Sequence, residues 1–264
     1  MRRIGSIALA ALLIAAMGTT ATAAQKTLKA ASGTPTLDGK LDDAYKAAET
    51  IAINVHTSGA KTTEGTAQVL WDANNIYVYF NITDPAISTK TGSYMYEADS
   101  VEFMFDLTGK QNADITKVNA AQYTAPAPVP GQDMTAWAGR GGQWDKQVKN
   151  AKYSSVKTDK GYAVEMMIPW GADFTPKANA EITVAFHINA DDDGASKRDG
   201  EVFGNEGQTN AWSDSKAYDK LILTDAVYKA PVKEAAKTAD AGIIAALAAL
   251  ASSGAAALSL KKRK

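Results

Sequence analysis

Alternating apolar and polar residues recur through the middle of this 264-residue chain. Along residues 76–83, isoleucine, valine and phenylalanine take every second position. A period of two turns one face of a strand towards an apolar core, so the pattern predicts a strand here. The turn-forming run 72–75 joins it to a second strand at 68–71, and the two are predicted to form a hairpin. The same reasoning predicts strands at 152–157, 162–168, 182–189 and 220–224.

One further strand carries candidate chemistry. Val101, Phe103 and Phe105 occupy alternate positions and are predicted to face the core, so Glu102 points away from it. Tyr96 stands just before this strand. A carboxylate beside an aromatic ring suits a sugar, which offers apolar C–H faces and hydroxyl donors. The alternative is an ordinary solvated glutamate and an edge tyrosine.

The predicted elements indicate an all-β fold. Only one short helix is expected, at residues 42–48, and many short strands joined by turns are typical of a β-sandwich of the immunoglobulin-like or jelly-roll kind. Trp71 and Trp170 lie at strand ends and are predicted to pack in the core. Trp137 and Trp144 flank a glycine-rich loop, where a second contact surface and simple loop packing are both open.

The two ends of the chain carry membrane-type signals. Arg2 and Arg3, the apolar run 4–17 and small residues at 21–23 predict a signal peptide cleaved after Ala23. The uncharged run 241–260 is long enough for a transmembrane helix, and the basic residues after it are expected to stay in the cytoplasm. The predicted organisation is a signal peptide at 1–23, a sandwich at 25–227, a linker at 228–239, and an anchor with a basic cytoplasmic tail at 240–264.

Composition narrows the function classes. The chain has 28 basic and 29 acidic residues, a balance that indicates no nucleic-acid partner. It has no cysteine, so its core must stabilise it without disulfides. Two histidines, no cysteine and no nucleophile-elbow motif give no support to an enzyme, and we expect none.

Five segments, in this order, resemble the motifs of the family 9 carbohydrate-binding modules. They include Pro-Thr-Leu-Asp-Gly at 35–39, Asp-Ser-Val-Glu-Phe at 99–103, and Ile-Pro-Trp at 168–170. Segments 70–85 and 212–223 are similar to the family's next hairpin and to its closing strand. The resemblance covers about residues 30 to 225.

This resemblance implies a sugar site made of two rings and two polar side chains. The rings would be Tyr96 and Trp212, which sandwich a terminal sugar, and the polar groups would be Glu102 and Asn189. An arginine of the family falls on Thr124, so that contact is expected to be lost.

The resemblance also implies a structural calcium ion. Asp84 and Asp99 sit at strand ends where such an ion could be held.

The C-terminal layout resembles the sorting signals of Gram-positive surface proteins, although residues 235–239 have neither the proline nor the glycine of the sortase motif. The chain is therefore expected to be exported and held at the cell surface of a Gram-positive bacterium by its C-terminal helix.

The predicted function is non-catalytic capture of plant-type or other glycans, as oligo- or polysaccharides, through the aromatic clamp. One alternative is a haem-binding sandwich domain, with Met104 and His187 as ligands. The other is a structural or adhesive surface protein that binds no sugar.

Overall fold

The structure is a computed structural model that describes residues 25–59, 62–88, 94–111, 120–128, 138–140, 150–172, 174–195 and 197–230. The predicted signal peptide, the apolar run 241–260, Trp137 and Trp144 lie outside these residues. One compact unit extends to Tyr228. Among the described residues, no helix has the length and apolar character that crossing a membrane requires.

Thirteen strands and three short 3-10 helices make up the regular structure of the described residues. The helices are Asp43–Ala47, Met95–Glu97 and Glu206–Asn210. The strands are β1 (Thr27–Ser32), β2 (Ile51–Ile53), β3 (Val55–Ser58), β4 (Glu64–Trp71), β5 (Asn75–Thr83), β6 (Ser100–Asp106), β7 (Ala120–Pro126), β8 (Ala138–Arg140), β9 (Lys152–Thr158), β10 (Gly161–Pro169), β11 (Glu181–Ala190), β12 (Gly200–Phe203) and β13 (Asp219–Leu223).

The strands form two sheets that share β1. The front sheet has the order β8-β7-β6-β11-β13-β1, with β12 paired to β11 and β3 paired to β12. The back sheet has the order β1-β4-β5-β10-β9, with β2 paired to β4. Strand β1 runs parallel to β13 through its first half and parallel to β4 at its end, so it passes from one sheet to the other.

The core lies between the two sheets. Phe80 of the back sheet contacts Phe186 of the front sheet with ring centroids 6.2 Å apart, and Phe103 lies 5.4 Å from Phe186. Val101, Phe103 and Phe105 are fully buried there, as their alternation predicts. The predicted all-β sandwich is therefore confirmed, and so is the burial of Trp71 and Trp170.

The same alternation determines which side chains lie on the outer face of the front sheet. Glu102 in β6 lies between Thr124 in β7 and His187 in β11, as direct partners on either side. Asn189 follows His187 by two residues and therefore shares its face. The strand register thus collects polar side chains on the side of the sheet that faces away from the core.

Candidate functional site

The carboxylate of Glu102 is the centre of a buried hydrogen-bond network. Thr124 Oγ1 donates to Glu102 Oε1 at 3.1 Å, and Gln122 Nε2 donates to Oε2 at 3.1 Å. His187 Nδ1 lies 2.9 Å from the same Oε2, so the tautomer with a proton on Nδ1 also donates. Glu102 is only 2% exposed. It is therefore not the solvated strand residue of the alternative interpretation, because neighbouring donors surround it beneath the surface.

The charge of Glu102 follows from this network. Burial alone would raise its pKa, but the hydrogen bonds from His187, Thr124 and Asn189 and the charge of His187 outweigh burial and hold the pKa of Glu102 below its ordinary value. Glu102 is therefore an anion near neutral pH.

His187 lies between two carboxylates. Its ring stacks on Phe203 with centroids 4.3 Å apart and planes 21° from parallel. Its Nδ1 faces Glu102, and its Nε2 lies 3.5 Å from Glu201 Oε1. Met104, the other proposed haem ligand, is buried on the same face against Ala185 and its neighbours. These contacts lend the haem alternative no support.

Arg198 connects the predicted site residues Asn189 and Tyr96. Its Nη1 donates to Asn189 Oδ1 at 2.6 Å, and its Nη2 lies 2.5 Å from Glu201 Oε1. The guanidinium carbon stands 5.4 Å from the centroid of the Tyr96 ring, within the range of a cation–π contact. Asn189 Nδ2 in turn donates to Ser100 Oγ at 3.0 Å. Tyr96, Asn189 and Glu102 therefore belong to one continuous set of contacts.

The candidate aromatic rings are partly exposed. Tyr96 is 40% exposed and stacks on Tyr94 with ring centroids 5.3 Å apart. Trp212 is 44% exposed and follows the 3-10 helix Glu206–Asn210. The residue before it, Ala211, is buried beside Met104 on the outer face of the front sheet. Both rings of the predicted clamp thus offer surface to a ligand.

Sequence reasoning missed Arg198 and Glu201. They lie three residues apart, Arg198 in the irregular loop after β11 and Glu201 in the short strand β12, where no alternation marks their orientation. Thr124, which the resemblance predicts to replace an arginine of the family, donates to Glu102. For Arg198 and Glu201, the only signal in the sequence was their closeness to Asn189.

A second group of carboxylates lies at one end of the sandwich. Asp99 Oδ1 accepts from Asp191 N at 2.9 Å, and its Oδ2 accepts from Ser88 N. Asp84 Oδ1 accepts from Ala86 N at 2.9 Å. Burial and the charge of Asp84 raise the pKa of Asp99 to about 8. The two residues predicted to hold calcium are therefore close enough to interact.

Unsatisfied oxygens in this group fit a cation. Asp84 Oδ2 and Asp191 Oδ1 are buried and receive no hydrogen bond from the described residues. Carboxylate oxygens of this kind are the ligands that Ca²⁺ prefers. The carboxylates of Asp191, Asp193 and Asp199 also approach within 4.8 Å of one another, so Asp191 borders a second acidic group, which is more exposed.

Residues 37–226 match the family model described as "Carbohydrate family 9 binding domain-like". This chain belongs to that family. The family predicted from the five sequence motifs is therefore confirmed. Carbohydrate-binding modules of this kind are typically non-catalytic, which agrees with the absence of an enzyme motif in the sequence.

Two curated relatives of this family 9 chain are xylanases. Endo-1,4-beta-xylanase C of Paenibacillus barcinonensis is 30% identical over 200 residues, which are 75% of this chain and 17% of the relative. Endo-1,4-beta-xylanase A of Thermoanaerobacterium saccharolyticum is 31% identical over 196 residues, 73% of this chain and 16% of the relative. The chain spans about a sixth of the length of these relatives.

The fold is similar to that of a carbohydrate-binding module family 9 from Caldicellulosiruptor kristjanssonii. That module was solved in complex with cellotriose and with glucose. The TM-score is 0.65 at 19% identity, with 79% of this chain and 100% of the other covered. This likeness supports the sandwich fold of the family 9 domain.

Proposed function

We propose that this chain is a non-catalytic carbohydrate-binding protein that holds an oligo- or polysaccharide between Tyr96 and Trp212. The observation that carries the proposal is the polar network of Glu102 and Asn189, joined through Arg198 to the partly exposed ring of Tyr96. Trp212 would supply the facing ring from a segment that packs on the same side of the sheet.

The chemistry of a sugar matches this arrangement. A pyranose has apolar C–H faces that lie against aromatic rings and a polar edge that needs hydrogen-bond partners. In the proposal, Tyr96 and Trp212 take the faces, and Glu102 and Asn189 form a polar floor that its neighbours hold in place. Family membership supports a sugar as the ligand, and the cellotriose and glucose complexes of the similar module favour a glucose-containing ligand.

Replacement of one ring tests the proposal. Loss of a principal aromatic anchor commonly costs on the order of 2 kcal/mol or more, roughly thirtyfold in affinity. We expect Trp212→Ala to weaken cellotriose binding by that factor in calorimetric titration. Trp137→Ala is the matched control and should bind as the wild type does.

Both variants must keep the wild-type melting temperature. If Trp137→Ala abolishes binding and Trp212→Ala keeps it, the clamp is misplaced and the glycine-rich loop is the site. If the wild type binds nothing on a panel of mono-, oligo- and polysaccharides, a structural or adhesive role replaces sugar binding.

A structural calcium ion is part of the proposal. Asp84 and Asp99 would hold it, with Asp191 beside them, because Asp84 Oδ2 and Asp191 Oδ1 are buried and receive no hydrogen bond from the part of the chain that the structure describes. Such an ion would tie the end of β5 to the start of β6. Its role would be to stabilise the fold at one end of the sandwich.

The proposed location is the outer surface of a Gram-positive cell. The signal peptide at 1–23 would direct export, and the segment 240–264 would anchor the sandwich through the linker 228–239. The support is the sequence pattern of the two ends, since the basic tail after the apolar run favours a cytoplasmic C-terminus.

A further inference from the structure

The ion pair of Arg198 and Glu201 lies beside the ring of Tyr96. Their side chains keep 29% and 24% of their surface exposed, whereas Glu102 keeps only 2%. Glu201 also faces His187 Nε2 at 3.5 Å, so the pair borders the network beneath it. Among these charged groups, Arg198 and Glu201 are the ones that a bound molecule can reach.

The buried carboxylate of Glu102 has little capacity left to accept hydrogen bonds from a ligand. Thr124, Gln122 and His187 already direct donors at Glu102. A carboxylate has about four lone-pair sites, so little acceptor capacity is left for a sugar hydroxyl. The guanidinium of Arg198 has five N–H donors, and its contacts with Asn189 and Glu201 leave others available.

The charged groups Arg198, Glu201, Glu102 and His187 together carry no net positive charge. Arg198 supplies one positive charge, against one negative charge on Glu102 and one on Glu201. A protonated His187 would bring the sum to zero and no higher. Among Arg198, His187, Glu102 and Glu201, a ligand carboxylate would therefore find no unmatched positive charge, and at distances of a few ångströms repulsion between like charges is strong in a partly buried site.

We propose that Arg198 and Glu201 contact hydroxyl groups of the sugar beside the floor of Glu102 and Asn189, and that this pair restricts the site to neutral sugars and rejects uronic acids. The inference rests on the proposed function and names the class of ligand for the same site. Arg198 donates to hydroxyl oxygens, Glu201 accepts from hydroxyl groups, and the ring of Tyr96 lies within cation–π distance of the guanidinium.

Glucose and glucuronic acid are the probes for selectivity, because they differ only in the carboxylate at C6. Cellotriose is the probe for affinity, and the full chain is used throughout. The wild type should bind glucuronic acid at least about tenfold more weakly than glucose in low salt, since salt screens the repulsion. Arg198→Ala should weaken cellotriose binding about tenfold, because a charge-assisted donor is lost.

Glu201→Gln tests whether Glu201 acts on the ligand or only positions Tyr96. It removes one negative charge and keeps the shape, so the affinity for glucuronic acid relative to glucose should rise by about threefold or more. A residue that only positioned Tyr96 would not change this ratio. Lys220→Ala is the control, because it breaks the exposed Lys220–Glu181 pair on the same sheet, 2.9 Å long, and should change neither probe.

The outcomes separate the inference from the proposed function. Equal wild-type affinities for glucose and glucuronic acid, an unchanged ratio in Glu201→Gln, or full cellotriose affinity in Arg198→Ala would each overturn the inference and leave the proposed function standing. Absence of cellotriose binding in the wild type would overturn both.

Discussion

At the scale of single residues, Glu165 is a buried acid whose charge opposes folding. It lies on the outer face of the back sheet, where its carboxyl accepts from Tyr45 Oη at 3.0 Å and from the backbone N–H groups of Asp38 and Gly39 at 3.1 and 3.2 Å. Burial raises its pKa from 4.5 to about 7, although these hydrogen bonds act in the opposite direction. It thereby holds the segment before the first 3-10 helix against β10.

The direction of the pH effect follows from this shift. The folded protein binds a proton at Glu165 between pH 4.5 and about 7, where the unfolded chain has released it. The contribution to stability is therefore complete below the unfolded pKa and is lost as pH rises through the folded pKa. The loss amounts to about 3.5 kcal/mol, because one pKa unit corresponds to about 1.4 kcal/mol.

Glu165→Gln should remove this part of the pH dependence. Its amide oxygen can accept from the two backbone N–H groups while its nitrogen faces Tyr45. Urea unfolding at several pH values, in the presence of a chelator, measures the free energy of unfolding for both proteins. Asp99 titrates in the same direction, so the difference between wild type and variant isolates Glu165. Parallel curves for the two proteins would contradict the prediction.

The residues of the candidate site were only partly predictable from sequence. Alternation showed correctly which face of β6 carries Glu102, but it gives no information about depth, and Glu102 proved to be buried. Depth depends on side chains from β7 and β11, which join it only through long-range pairing. Arg198 lies in a loop, where no period constrains the side chain.

At the scale of elements, alternation located the strands with large side chains on one face. The hairpins β4–β5 and β9–β10 and the strands β6, β11 and β13 agree with the prediction. Strand β7 was missed because alanine and polar residues occupy most of its positions, and its burial comes from pairing with β6. Strand β1 was also missed, because its role as the link between the sheets depends on its partners rather than on its own pattern.

The turn between β9 and β10 requires a glycine. A Cβ at Gly161 would lie 2.6 Å from Asp84 N and closer still to Ile82 O, and the backbone there has φ of +157°. These neighbours are backbone atoms of β5 and the residue after it, which cannot move without breaking the pairing of β5 with β10. Gly161→Ala should therefore lower the free energy of unfolding by about 2 kcal/mol or more.

Chemical denaturation measures this cost. Gly33→Ala is the control, because its added Cβ would meet its nearest neighbour at 3.4 Å, an ordinary contact, and its stability should change little. If the two variants were equally stable, the close approach of β5 and β10 at Gly161 would not constrain this turn.

At the scale of the whole molecule, stability should depend on calcium. The proposed cation at Asp84 and Asp99 would bind only the folded chain, so calcium at a hundred times its Kd should raise the free energy of unfolding by about 2.7 kcal/mol. A chelator should lower the melting temperature of the wild type. Asp99→Asn should abolish the response to calcium, because one of the two carboxylates proposed to hold the ion is lost.

Asp193→Asn distinguishes the two acidic groups. Asp193 belongs to the more exposed group and contacts neither Asp84 nor Asp99 through the hydrogen bonds described above. It should keep the full calcium response. If Asp193→Asn lost the response and Asp99→Asn kept it, the ion would belong at Asp191, Asp193 and Asp199.

The sequence at the C-terminal end predicts that the molecule is attached to the cell membrane. The run 241–260 carries no charge but consists mostly of alanine, so its insertion should be weaker than that of a leucine-rich segment, and the basic tail 261–264 would help to retain it. A chain truncated after Ala239 keeps the sandwich and the predicted signal peptide and should be released into the medium. Immunoblots of medium and membrane fractions measure the release, with the full chain as the control. Cellotriose binding by the released protein would show that it is folded, and truncated protein that stayed with the membrane would place the anchor elsewhere in the chain.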